Sequence, residues 1–333
     1  MIALKRILPI VLLLALFLSG CRVQSPTQTD FFSMDTLMCV KLWDAPDESA
    51  ADAVVQTVNR LAASLSVTDA DSELSRLNQA GNAALSDETL ALLRTALSLS
   101  SRTGGAFDPT VYPLVRLWGF TEQSQAVPDR ASVQSALCAV GTDHVSIQGN
   151  HVTLSDGAML DFGGIAKGYA AETCAQLLEA EGVPAALLSF GGNVQTVGTK
   201  PDGSAWSIGI ADPQSPSQSV ATLTFTGTLA LVTSGGYQRY FEENGIRYHH
   251  ILDPETGYPA QNELASVTIL ADSGTLADAL STALFVMGLE RATEFWRASD
   301  DFEAVFLTET GAIYATEGAA PLLSDCEFEV IHR

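Results

Sequence analysis

Ala185-Ala186-Leu187-Leu188-Ser189-Phe190-Gly191-Gly192-Asn193 is the stretch that decides the fold class. Apolar and small residues running without a break into two glycines read as a buried strand followed by a turn. Before it, residues 166–180 have helical spacing and stop near Gly182. After it, the helix–strand alternation ends. Residues 206–211, 220–226, 229–233, 246–252 and 265–270 are short, rich in β-formers and separated by Gly, Pro, Asp and Asn, which predicts strands in succession. Helices are expected at 275–287 and 289–298, and 303–308 with 312–316 flank a turn at Thr310-Gly311. Such irregular interleaving predicts a mixed α/β (α+β) domain, with a mixed, largely antiparallel sheet and flanking helices, rather than a doubly wound parallel sheet.

The amino-terminal part fits the same class. A strand is expected at 34–43 and a helix at 48–65, where Val54, Val55, Val58, Leu61 and Leu65 share a face. Ser86 caps a helix expected at 87–102, with Asp87 and Glu88 in its first turn and Gly104-Gly105 beyond its end. A helix at 129–139 and strands at 145–147 and 151–154 complete this part. No fixed-period repeat or low-complexity tract is present. The chain has 333 residues, 47% of them hydrophobic, which is ample for a sizeable core.

Lys5 and Arg6 followed by the apolar run 7–18 read as a secretory signal. Leu18-Ser19-Gly20-Cys21 has the apolar, small, small, cysteine order of a bacterial lipoprotein processing site. The expected organisation is therefore a signal peptide at 1–20, a lipidated Cys21 with a flexible tether over 21–30, and one domain over 31–333. Acyl chains would hold it at the extracytoplasmic face of the bacterial cell membrane. Loss of Lys5 and Arg6 takes the net charge from −22 to −24, which argues against nucleic acid as a partner. Cys39, Cys138, Cys174 and Cys326 lack CxxC spacing and are expected as small buried thiols.

Three segments could carry chemistry. Asp161-Phe162-Gly163-Gly164-Ile165-Ala166-Lys167-Gly168 places a carboxylate at an expected strand end, glycines in a turn and a lysine in the first turn of a helix. Close backbone approach, unpaired amides and the Lys167 charge together suit phosphate, although a plain strand-to-helix turn uses the same glycines. Asp278 and Thr282 lie four apart on an expected helix and share a face. One carboxylate and one hydroxyl suit a hard cation such as magnesium; in isolation the same pair fits a solvated Asp and a Thr bonded back to its helix. Arg247-Tyr248-His249-His250-Ile251-Leu252-Asp253-Pro254-Glu255-Thr256-Gly257 puts two histidines where a strand opens into a tight turn, with Gly257 supplying a positive φ. Only one of the two can face a given site.

TGGAFDPTVYPLVRLWGF, LDFGGIAKGYAAE, SFGGNV, RYHHILDPETGYP and ADALSTALFVMG, in that order, resemble the ApbE family of FAD:protein FMN transferases. The resemblance implies an extracytoplasmic, commonly lipid-anchored enzyme with a single α/β domain. Such an enzyme splits FAD with Mg²⁺, or Mn²⁺ as the alternative ion, attaches FMN by a phosphoester to a threonine or serine of an acceptor flavoprotein, and releases AMP. Carried over by position, Asp278 and Thr282 resemble metal ligands, with Ser281 beside them and the Gly164 carbonyl as a main-chain ligand. Met34, Ala106, Phe107, Asp108, Asp161, Lys167 and the backbone at Leu252 match FAD-contacting positions, and His250 resembles the residue that activates the acceptor hydroxyl. Lys167 and Asp278 are, with His250, the expected catalytic groups. Two departures bear on flavin binding: Met34-Asp35-Thr36 stands where Met-Gly-Thr is usual, and Thr68 where an aromatic often precedes Ser72-Glu73-Leu74-Ser75-Arg76-Leu77-Asn78. Both imply weaker or rearranged flavin contacts with the reaction class unchanged. The competing expectations are an FAD pyrophosphatase yielding FMN and AMP, a non-catalytic flavin-binding lipoprotein, and a solute-binding lipoprotein, which has no need of these segments together.

Overall fold

The computed structural model describes residues 25–47, 49–121 and 124–333; the expected signal peptide and Cys21 lie outside the described residues. Ordered structure begins before residue 31. Strands β1 (Thr27–Ser33) and β2 (Thr36–Trp43) form an antiparallel hairpin with Ser33 opposite Thr36, so residues 27–30 are an edge strand where a tether was expected. The reason is that ladder hydrogen bonds use the backbone, and an edge strand leaves Thr27, Gln28 and Asp30 in water. Met34 (φ 47°) and Asp35 (φ 57°) are both left-handed, the conformation of a two-residue hairpin turn whose twist suits the flanking strands. The strand expected at 34 therefore starts at 36.

Helices α1 (Ser49–Leu65), α2 (Glu73–Ala80), α3 (Asp87–Arg102), α4 (Tyr112–Leu117) and α5 (Arg130–Leu137) follow, with a small sheet of β3 (Asn82–Ala84), β4 (Val145–Gln148) and β5 (His151–Leu154). α3 matches its expected bounds because its signals are local: Ser86 Oγ accepts from the Thr89 amide. α2 was not anticipated, although Ser72 caps it through the Ser75 amide at 2.9 Å and Gly81 (φ 71°) ends it.

The second half contains α6 (Ala166–Ala180), β6 (Ala185–Phe190), β7 (Asn193–Gly198), β8 (Trp206–Asp212), β9 (Ser215–Phe225), β10 (Ala230–Gly235), β11 (Tyr240–Glu243), β12 (Ile246–His249) and β13 (Leu264–Ala271). After these come α7 (Gly274–Arg297), β14 (Glu303–Thr308), β15 (Ile313–Thr316), β16 (Leu323–Ser324) and β17 (Glu329–Ile331). Nine strands form the main sheet in the order β1-β2-β6-β7-β10-β13-β14-β15-β17, antiparallel at every junction except the parallel β15–β17 pair. The mixed, largely antiparallel sheet expected from the sequence is present. The two helices expected at 275–298 are one element kinked at Gly288 (φ 75°, ψ 169°).

α6 and α7 cover one face of the sheet. Ala170, Cys174, Leu178, Leu280, Ala283 and Leu284 pack there with Val40, Leu188, Val232, Val267 and Ile269. The small β8–β9–β16 sheet closes the other face through Trp206, Ile210 and Leu223 against Leu231, Leu270 and Val305. Covered on both sides, β13 is buried at all eight positions, which explains why its apolar residues fall on both faces and its polar ones, Ser266 and Thr268, are small. Of the four thiols expected in the core only Cys174 is buried, and Cys138 is exposed, because its short helix α5 buries Val133 alone.

The hairpin tips at Met34-Asp35 and Gly191-Gly192 lie at the same end of the sheet, since a Cβ on Gly191 would come within 2.6 Å of Thr36 Oγ1. The end of β10 joins them: Gly192 faces Gln238 and the Thr233 carbonyl. α6 and α7 cross at their first turns, where a Cβ on Gly168 would stand 2.1 Å from the Gly274 carbonyl and 2.5 Å from Asp278 Cβ. Gly168→Ala is accordingly expected to separate the helices and to destabilise the fold by about 1–3 kcal/mol, read as a lowered thermal midpoint. An unchanged midpoint would show that the crossing is looser than this geometry.

Candidate active site

At that crossing each helix caps the other. The Gly168 amide, in the first turn of α6, donates to Asp278 Oδ2 at 2.7 Å. Glu172 Oε2, one turn further along α6, accepts from the Thr275 amide at 2.9 Å and from the hydroxyls of Ser273 and Thr275 at 2.7 Å each. First-turn amides have no partner within their own helix, and carboxylates placed there also oppose the helix dipole. Asp278 is only 4% exposed, yet its second oxygen has no donor among the described residues.

One turn along α7, Thr282 is half-buried and lies against Gly164: a Cβ on that glycine would sit 3.4 Å from Thr282 Oγ1 and 3.3 Å from Phe107 Cε2. The glycine is required by this sandwich. Ser281 is fully buried; its hydroxyl donates to the Asp278 carbonyl at 2.9 Å and pairs with Ser234 Oγ at 2.8 Å. Ser234, at the end of β10, also lies 3.4 Å from Thr282 Oγ1. The expected metal set thus gathers in one place as a carboxylate, hydroxyls and a backbone carbonyl, all hard oxygen donors. Among the described residues no group of three or more His, Cys, Asp or Glu side chains could hold a metal. A site with one carboxylate suits an ion that keeps waters and shares its shell with phosphate oxygens.

Asp161 lies in a loop, where a strand end was expected; the nearest pairing is the isolated bridge between Val111 and Met159. Its amide donates to the Pro109 carbonyl at 2.8 Å and its Oδ1 accepts from the Gly163 amide at 2.7 Å, which shapes the double-glycine turn. Burial raises its pKa, opposed by the Gly163 hydrogen bond and by the charges of Lys167 and Arg239. Lys167 Nζ lies 3.3 Å from the Gly163 carbonyl.

β12 ends at His249, three residues short of the expected strand end, and the two histidines then part. His249 Nε2 bonds the Ala260 carbonyl at 2.9 Å, and its ring meets Phe285 edge-on. His250 turns toward Lys167 and Arg239. Its amide and its Nδ1 each lie 3.1 Å from the Arg239 carbonyl. A carbonyl can only accept, so Nδ1 carries the proton and Nε2 is left as the acceptor. Burial, with the charges of Lys167, His249 and Arg239, pushes His250 down from the ordinary 6.5 to about 4.

The loop bearing His250 is held by a separate cluster. Trp118 is fully buried; its Nε1 donates to the Gly257 carbonyl at 2.9 Å, and its ring lies 5.5 Å from Tyr248 and 5.7 Å from Tyr258. Leu252 belongs to this cluster, with Leu114 and Val133. Gly257 has the expected positive φ, 75°.

Other expected contact residues divide into two groups. Phe107 reaches Gly164, and Ala106 is buried beside it. Met34 is half-buried at the β1–β2 tip. Asp108, by contrast, turns its carboxylate into its own loop, accepting from the Thr110 amide at 2.8 Å and hydroxyl at 2.6 Å, while burial raises its pKa. Thr68 lines a cavity of about 370 Å³ with Asn78, Tyr112, Arg116 and Met159, so open space stands where the resemblance led one to expect a ring. Glu172, Ser234, Arg239 and Trp118 were given no role by the sequence reading, although Glu172 and Trp118 lie within the quoted motifs, because each acts through a partner elsewhere in the chain.

The sequence model of the ApbE family matches residues 34–306. The FAD:protein FMN transferase of Treponema pallidum is 39% identical over 273 residues, covering 76% of this chain and 75% of that protein. The Vibrio cholerae protein of the same name is 34% identical over 324 residues, covering 93% and 96%. Among solved structures, the ApbE protein of Thermotoga maritima superposes with a TM-score of 0.85 at 33% identity, covering 89% of this chain and 99% of that one. The apo form of Pseudomonas stutzeri flavinyl transferase ApbE gives 0.79 at 32% identity, covering 89% and 96%. This chain belongs to the ApbE family.

A neutral His250 has a measurable consequence. Its folded pKa lies below the unfolded value of about 6.5, so between those values the unfolded chain binds the proton and stability falls as pH falls. Titration of the ring by NMR is expected to give a midpoint near 4; a midpoint near 6.5 would mean that the ring is solvated.

Proposed function

We propose that this chain is a FAD:protein FMN transferase that attaches FMN by a phosphoester bond to a threonine or serine of an acceptor flavoprotein and releases AMP. The observation that carries the reading is the crossing of α6 and α7, which sets Asp278 against Gly168 and Thr282 against the Gly164 turn, with Lys167 next to Gly168. The names of the relatives support it.

FAD presents a diphosphate between its FMN and AMP halves. Asp278, Thr282 and the Gly164 carbonyl, with Ser281 alongside, would hold Mg²⁺ or Mn²⁺, which when bound withdraws charge from the phosphate oxygens. The remaining work falls to the chain itself. Lys167 and the first turn of α6 stabilise negative charge developing at the FMN-side phosphorus. His250 Nε2 accepts the proton of the acceptor hydroxyl as its oxygen bonds that phosphorus, and the bond to the AMP-side oxygen breaks. The proton returns from His250 to solvent. A base of pKa about 4 is weak in the free site; bound phosphate charge beside Lys167 raises it toward the useful range.

A lipid anchor at Cys21 and an extracytoplasmic position remain part of the proposal, supported by Leu18-Ser19-Gly20-Cys21 after the apolar run. Among the described residues no helix is long and apolar enough to cross a membrane.

The test mixes the purified protein with FAD, Mg²⁺ and a threonine-bearing acceptor domain, and follows acceptor mass and AMP with an EDTA control. A metal-dependent FMN adduct is expected. AMP without an adduct would indicate hydrolysis, and retained FAD with neither product would indicate a flavin carrier. Asp278→Asn should abolish metal-dependent turnover. His250→Ala should slow transfer about 10²–10⁴-fold with FAD still bound; a wild-type rate would remove His250 from the mechanism.

A further inference from the structure

Arg239 is placed by the same contacts that set His250. Its carbonyl receives both the amide and the Nδ1 of His250 at 3.1 Å, so the two residues are held in fixed relation. Its guanidinium charge acts on Asp161 and on His250, the two groups that Lys167 also acts on. Arg239 and Lys167 are thus both within electrostatic reach of Asp161 and His250. Its ion partner is Asp35, at the tip of the β1–β2 hairpin: Arg239 Nη2 and Asp35 Oδ2 are 3.8 Å apart, beyond hydrogen-bond range, and the side chains are 55% and 79% exposed. Exposed pairs of this kind contribute little and exchange readily.

The charge balance of the site calls for such a cation. A diphosphate brings two negative charges to a place that already contains Asp161 and Asp278, and Lys167 with the divalent ion that Asp278 would hold leaves that negative charge incompletely balanced. A guanidinium adds a planar fork of donors that matches two phosphate oxygens at once. We infer that Arg239 is a second phosphate-binding residue of the site, and that Asp35 is the counter-ion it gives up when a diphosphate enters. The inference rests on FAD being the substrate. Asp35 then has an antagonistic role: it occupies Arg239 in the free protein.

The test is equilibrium titration of the whole protein in metal-free buffer with FAD, and with riboflavin as the probe that lacks both phosphates. Arg239→Gln is expected to weaken FAD about tenfold or more without changing riboflavin binding, and Arg239→Lys to restore part of the loss. Asp35→Asn, which keeps a residue tolerant of the left-handed turn, is expected to tighten FAD about two- to fivefold when Arg239 is present and to do nothing in Arg239→Gln. Unchanged FAD affinity in Arg239→Gln, equal weakening of both ligands, or an Asp35→Asn effect independent of Arg239 would each overturn the inference. A folded wild-type protein that binds no FAD either in this buffer or with Mg²⁺ added would instead overturn the functional reading on which it rests.

Discussion

The reciprocal capping of α6 and α7 is the constraint on which the rest of the site depends. A buried carboxylate needs hydrogen-bond partners, and Asp278 finds one in the Gly168 amide. Glu172 does the converse for the start of α7. Both contacts require the helices to approach within the reach of a short side chain, which Gly168 and Gly274 permit. Once the crossing is set, Lys167, the Gly163-Gly164 turn and Thr282 have little freedom. Asp278 then lies one turn before Thr282 on α7, so one carboxylate serves the architecture and is available for the proposed chemistry.

A second anchor works independently of the first. Trp118 and its aromatic neighbours hold the 250–257 turn from below through a hydrogen bond to Gly257 and close ring contacts. The turn can therefore present His250 at a fixed height without being part of the main sheet. The Arg239 carbonyl completes the placement and selects the ring tautomer. Helix crossing and aromatic cluster thus stabilise two parts of the site separately.

Much of the site was legible where chemistry is encoded locally. Asp278 and Thr282 share a helical face by spacing alone, and the Asp161 to Gly168 segment reads as a turn into a helix with a lysine at its start. The α3 cap and the buried run of β13 were equally direct. Legibility failed where a group acts through distant partners: Glu172 looks like a surface residue of α6 until Ser273 and Thr275 fold against it, and Asp108 looks like a ligand contact until Thr110 claims its carboxylate. The extra strand at Thr27–Ser33 was missed for a related reason, since its residues are polar and only pairing with β2 makes them a strand.

From residue order alone came the elements, their mixed succession, the turn glycines and the family to which the chain belongs, because propensity, periodicity and motif spacing act over a few residues. Tertiary structure alone decided the order of nine strands, the pairing of Asp278 with Gly168, the division of labour between His249 and His250, and the depression of the His250 pKa. Those properties depend on burial and on the charges of groups tens of residues away, such as Lys167 and Arg239. Burial and electrostatic environment exist only once the chain has closed on itself.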